Sequence, residues 1–158
     1  MSSLPLNIPN SECVIRAVKS SYHIKRGQLT WKAFQPPKGR SVISVIRHAK
    51  GNHFCKNQAR EIGETHYVGV ASLLCGKLRD GGFLVCDQRI GSYEGHAEID
   101  VGVRTPLEDE PSDPETNHRL RTQCQQLLSM ACYLKDHEPE SDKWNGPDMC
   151  SWADESEQ

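Results

Sequence analysis

The chain has 158 residues, 36% hydrophobic and 25% charged, and its 19 Lys and Arg nearly balance 21 Asp and Glu. That is the length of one ordinary domain able to bury a core, and it is polar enough to predict mobile ends. No stretch reaches the roughly 18 to 20 apolar residues that cross a bilayer, and MSSLPLNIPNSE has neither a basic region nor an apolar signal segment, so the sequence predicts a cytoplasmic protein with no membrane partner.

Residues 1–11, with Pro5, Pro9 and Asn10, read as an irregular lead-in to a single domain over 12–137. CVIRAVKSSYHI reads as a strand, with a short helix as the other option. A loop around Gly27 leads to LTWKAF, and QPPKGR is a firm break because Pro36 and Pro37 fix their own backbone angles. SVISVIRH, rich in β-branched residues, is the clearest strand of the first half.

KNQAREIGE predicts a short polar helix or turn interrupted at Gly63. In YVGVASLLCGKLRDGG, Val68 and Val70 suggest a short strand, while Ala71, Leu74, Cys75 and Leu78 fall at near-helical spacing before Gly81 and Gly82. FLVCD and GHAEIDVGV read as two strands of a hairpin joined by IGSYEG. The acidic, proline-rich segment 105–117 reads as a loop. HRLRTQCQQLLSMACYLKDH then predicts a helix over 118–136, with Asn117 as N-cap and an apolar stripe through Leu120, Cys124, Leu127, Ala131 and Leu134. Residues 138–158 read as a mobile acidic tail with Trp144 and Trp152 as isolated apolar anchors. The expectation is an α+β domain: a mainly antiparallel sheet covered by one or two helices. Seven cysteines, an odd number without close pairs, predict reduced and mostly buried thiols.

Two features point toward function. The first is a division of charge: residues 14–60 hold eleven Lys and Arg and no acid, while 61–158 hold eight bases and twenty acids. A basic half of this kind attracts phosphate, nucleic acid or an acidic protein surface, and Arg47, Arg40, Lys25, Arg26, Lys50 and Lys56 are its candidate anion contacts. Tyr22, Trp31, Phe34 and Phe54 lie among the bases, where rings can stack on unpaired bases or ligand rings. The alternative is that the two halves neutralise each other within one fold.

The second feature is GHAEIDVGV. An extended chain alternates its side chains, so His96, Glu98 and Asp100 share one face and Ala97, Ile99, Val101 and Val103 the other. The three ionisable groups stand about 6 to 7 Å apart along that face. They are candidate catalytic groups, or candidate ligands of a divalent metal such as Mg, Mn, Fe or Zn. The plainer alternative is a solvent-facing sheet surface. Nearby, RHAKGNHFC gathers Arg47, His48, His53 and Cys55, but no CxxC pair accompanies them to suggest structural zinc.

VISVIRHAK resembles the start of a histidine phosphatase, in which a strand delivers an Arg-His pair to a phosphate pocket, and GHAE resembles that family's second Gly-His element. The resemblance implies that His48 is the phosphorylated nucleophile, Arg47 a phosphate clamp and His96 a phosphate contact. The chain departs from the family pattern in the forty-odd residues before the motif, in the short spacing from His48 to His96, and in lacking the Ser-Pro and Arg segment between them. More broadly, RAV, KAF, SVISVIR, VGVA and GHAEI in succession are similar to small bacterial proteins of no known function, which implies one compact domain.

The leading functional expectation is therefore an intracellular binding or regulatory module whose basic half receives an anion. The competing one is a small phosphoester hydrolase built on His96, Glu98 and Asp100, with Arg47 and His48 holding phosphate. A third is a domain that works only in an assembly with another protein. The sequence leaves oligomeric state open.

Overall fold

A computed structural model describes residues 3–151. Eight strands and three helices are laid down in the order β1 (Cys13–Lys19), β2 (Ile24–Lys25), β3 (Gln28–Leu29), β4 (Val42–Arg47), α1 (Asn52–Gly63), β5 (Tyr67–Leu74), α2 (Cys75–Asp80), β6 (Leu84–Asp87), β7 (His96–Asp100), α3 (Pro114–Met130) and β8 (Cys132–Lys135). Six of the strands make one antiparallel sheet in the order β6-β7-β4-β1-β5-β8, while β2 and β3 form a separate small hairpin. This is the α+β architecture expected. No helix among the described residues is long and apolar enough to cross a membrane.

The central strands have little alternation because both faces of the sheet are covered. On one face α2, α3 and the 3-10 turn Trp31–Phe34 enclose Phe34, Ile43, Leu73, Leu78, Ile99 and Leu127. On the other, α1 and the chain beyond β8 enclose Ile15, Ile46, Ala59, Val70, Trp144 and Met149. Two-sided burial corrects one reading: Ala71 and Leu74, at helical spacing in the sequence, belong to a continuous eight-residue strand, and the helix starts only at Cys75.

The C-terminal helix also shifts. Asp113, not Asn117, caps it: its carboxylate accepts from the Glu115 N–H, and Pro114 takes the first helical position, where no N–H is needed. The helix stops at Met130, and Cys132 to Lys135 instead extend the sheet as edge strand β8. β5 offers an unpaired ladder there, and Gly69 lets β8 approach: a Cβ at that position would lie 2.5 Å from the Leu134 carbonyl oxygen.

The predicted tail divides. Trp152 and the residues after it lie outside the described residues, but 138–151 form a strap held across α1. Lys56, with no exposed surface, donates to the carbonyls of Glu138 (2.7 Å) and Lys143 (2.6 Å) and pairs with Asp136 at 3.0 Å. Asp136 also accepts from the Tyr67 hydroxyl at 2.6 Å. The Trp144 N–H donates to His53 Nδ1 and the Met149 N–H to Asn52 Oδ1. The strap ends in a disulfide between Cys13 and Cys150, 137 positions apart, which overturns the expectation of seven reduced thiols. Strap docking, invisible in the local spacing of cysteines, is what brings this pair together. Of the other five, Cys55, Cys75 and Cys124 are buried and Cys86 is exposed.

A candidate anion-binding cleft

The alternation read in GHAEIDVGV is present: Ala97 and Ile99 are fully buried, and His96, Glu98 and Asp100 are partly exposed on the opposite face. Each of the three has its own partner. His96 Nδ1 lies 3.0 Å from the Gln88 carbonyl and Nε2 3.3 Å from the Ser44 hydroxyl. Glu98 accepts from Arg40 at 3.2 Å, and Asp100 accepts from the Gly102 N–H at 2.9 Å. Among the described residues no three His, Cys, Asp or Glu side chains converge to hold a metal ion. Strand geometry sets this: groups two residues apart stay parallel and do not converge unless a neighbouring element supplies the missing ligand. We expect His96→Ala to cost about 1 kcal/mol in denaturant unfolding through the lost contacts, with metal content by elemental analysis unaltered.

The predicted anion contacts are scattered. Arg47, 1% exposed at its side chain, makes a two-pronged ion pair with Glu12 (2.9 Å for both prongs), a second with Asp87 (3.0 Å), and a hydrogen bond to the Pro5 carbonyl. Hydrogen bonding to Glu12 raises its pKa above the ordinary arginine value. Arg47 and Lys56 are thus internal cross-links that present no charge to solvent. Arg40 is paired with Glu98, Lys50 lies over the Phe54 ring at 5.0 Å, and Lys25 and Arg26 are exposed on the β2–β3 hairpin. His48, which follows Arg47 at the end of β4, faces the strap, with Nε2 2.8 Å from Asn52 Oδ1 and 3.1 Å from Asp148. Phe34 is core.

Much of the charge division is resolved inside the fold. Lys38, Arg40, Arg47, Lys56 and Arg60 pair with Glu108, Glu98, Asp87, Asp136 and Asp142 of the acidic part. Among the described residues six bases of the basic part make no ion pair: Lys50, which lies over the Phe54 ring, and the five residues Arg16, Lys19, Lys25, Arg26 and Lys32. These five cluster around the β2–β3 hairpin and the turn that follows it, and three of them line one cleft of about 580 Å³.

The cleft is built by a local failure of the sheet. β1 pairs with β4 only at Val14–Arg47 and Ile15–Ile46. Beyond that point Arg16 bridges the gap in place of the ladder, donating from Nε to the Ala33 carbonyl (3.0 Å) and from Nη1 to the Ser44 carbonyl (2.9 Å). Burial lowers its pKa to about 10, so it is cationic at neutral pH. Its Nη2 has no hydrogen-bond partner among the described residues.

A bulge at Val18 and Lys19 turns β1 into the segment carrying Tyr22 and His23. His23 is 4% exposed, and its Nδ1 accepts from the Lys19 N–H at 3.1 Å. Burial first, then the charges of Arg16 and Lys19, pull its pKa down to about 4. The ring is therefore neutral at pH 7, and because Nδ1 is the acceptor, its proton sits on Nε2. That Nε2–H has no partner among the described residues.

Hydrogen bonds tie down the chain on either side of the cleft. Arg26 and Gly27, both with positive φ, form the tight turn between β2 and β3. The Thr30 hydroxyl donates to the Tyr22 carbonyl and the Thr30 N–H to the His23 carbonyl, both at 2.8 Å. Across the mouth, the Thr105 hydroxyl donates to the Pro36 carbonyl at 2.8 Å, which fixes the Pro36–Pro37 corner. Lys19, Lys32 and Lys38 complete the basic lining, and among the described residues no acid lines the cleft.

Sequence reasoning counted Arg16, Lys19, Lys32 and Lys38 within the basic segment without distinguishing them, and missed His23 altogether. The signal available was the interleaving of Tyr22 with the bases. No protein-family model matches the chain, and no curated protein or solved structure matches it either.

Proposed function

We propose that the protein is a binding module that takes an anionic group, a phosphate or a carboxylate, into the cleft over Arg16 and His23. One observation carries the reading: Arg16, Lys19 and Lys32, which make no ion pair among the described residues, line a concave site with Lys38, and an N–H donor on each of Arg16 and His23 has no partner among those residues. A concave site with preset donors suits a small anionic group better than a flat acidic protein surface, because its hydrogen bonds form without reordering the protein. The cytoplasmic setting belongs to the same proposal. It requires the Cys13–Cys150 bond to persist against cellular reductant, which complete burial of Cys13 favours.

Calorimetric titration with inorganic phosphate and pyrophosphate at low and moderate salt tests it. Lys32 is exposed and makes no ion pair among the described residues, so Lys32→Glu leaves the fold intact and turns one attraction into a repulsion. We expect that variant to weaken pyrophosphate binding about 10-fold or more, and added salt to weaken the unaltered protein's binding as well. Lys143→Glu, the same charge change on the strap, is expected to bind normally. No binding by the unaltered protein, or equal losses in the two variants, rejects the cleft.

A further inference from the structure

We infer that the group entering the cleft is the phosphate of a nucleoside phosphate, whose base lies on the Tyr22 ring. The inference rests on the anion-binding reading above and adds the part of the ligand that the basic cleft does not explain. A second cleft of about 410 Å³ adjoins the first, and the two share Tyr22 and Lys32 as their common wall. Its lining changes character: Ile24 and Trp31 give it an apolar floor, and Lys25 is its second cation. An inorganic anion fills only the Arg16–His23 end. A ligand with a planar ring and a phosphate fills both, crossing the wall at Tyr22.

Tyr22 is built for that contact. The residue is 56% exposed although the backbone around it is tied down, by the Thr30 hydroxyl at its own carbonyl and by the His23 hydrogen bonds on its other side. The ring stands edge-on to the His23 imidazole, with centroids 4.9 Å apart, so the residue that offers a donor to the anion also braces the aromatic surface. An exposed ring held in place loses little freedom when a base stacks on it, and stacking is tolerant of which base is offered. Lys32, lining both clefts, sits where ring and phosphate meet. On the far side of the turn, the Arg121 guanidinium lies 5.4 Å from the Trp31 ring centroid and steadies it.

The test compares inorganic phosphate with adenosine 5′-monophosphate and with a short single-stranded oligonucleotide, in the unaltered protein, Tyr22→Ala and Tyr22→Phe. We expect the mononucleotide to bind about 5- to 150-fold more tightly than inorganic phosphate, the range that one stacked base supplies. Tyr22→Ala should abolish that advantage, bringing the ratio of mononucleotide to phosphate affinity to about 1, and Tyr22→Phe should retain it. Equal affinity for phosphate and mononucleotide, or an advantage that survives Tyr22→Ala, overturns the nucleoside inference and leaves the anion cleft standing. Failure of every ligand to bind overturns both. Given the expected Tyr22 dependence, an oligonucleotide that binds more tightly than the mononucleotide identifies the source as a single-stranded chain, and equal affinity identifies a free nucleotide.

Discussion

Arg47→Met is expected to lower the stability of the protein by about 3 to 5 kcal/mol, the cost of removing one partner from a buried ion cluster. Arg47 joins four separate parts of the chain: Pro5 in the lead-in, Glu12 before β1, Asp87 at the end of β6, and its own strand β4. Methionine fills most of the volume and removes the charge, leaving Glu12 and Asp87 facing each other with one cation fewer. The large cost comes from those stranded carboxylates rather than from lost packing. Adding Glu12→Gln to Arg47→Met should therefore recover part of the loss. Urea unfolding midpoints at constant slope are the measurement. A loss below about 1 kcal/mol would show that the cluster is open to water and that Arg47 is not the cross-link described.

The same cluster fixes the acid limb of the stability profile. Hydrogen bonds from Arg89 first, and from Arg47, outweigh burial and hold the Asp87 carboxyl at about 2, below its ordinary 3.8. A depressed carboxyl pKa means that the folded state binds fewer protons than the unfolded one. Its contribution is complete above the unfolded pKa and is lost as pH falls from about 3.8 to about 2. Without Arg47, burial of the carboxylate is opposed by Arg89 alone, the Asp87 pKa rises, and acid unfolding should begin at higher pH.

The second large effect concerns the strap. Thiol titration of the unreduced protein in denaturant should count five reactive cysteines of seven. Cys150→Ser should then cost about 2 to 4 kcal/mol, or roughly 10 °C in melting temperature. A loop of 137 positions would cost the unfolded chain about 5 kcal/mol of closure entropy in the simplest account, which is the ceiling. The observed loss should fall short of it, because Lys56, Trp144 and Met149 still hold the strap when the covalent link is gone. Seven reactive thiols, or a melting temperature indifferent to the substitution, would return residues 138–151 to the mobile tail expected from their composition.

How far the chain could be read follows from the range over which each feature is encoded. VISVIR, LVCD and HAEID declare themselves as strands because β-branched or alternating residues within five or six positions specify an extended segment and its buried side. The stripe through Leu120, Cys124 and Leu127 likewise marks α3 and the face it buries. The boundary errors have local causes too: Pro114 starts the helix four residues early, and the open edge of β5 recruits Cys132 to Lys135 away from it. The paired face of His96, Glu98 and Asp100 was legible as a pattern. Its chemistry was not, since Ser44, Gln88 and Arg40 lie on other segments.

What the sequence by itself determined, then, is the α+β class, the principal strands and the division of charge into a basic part and an acidic part. The tertiary structure alone decided where each charge went: Arg47 and Lys56 into buried cross-links, Cys13 onto Cys150, and Arg16, Lys19, His23 and Lys32 around one cleft. The physical reason is range. Periodicity is a property of neighbouring residues and fixes which side of an element is buried. Ion pairs, disulfides and clefts depend on which distant segments meet, and residues of the same type carry no mark that tells a lysine bound for the interior from one left at a site.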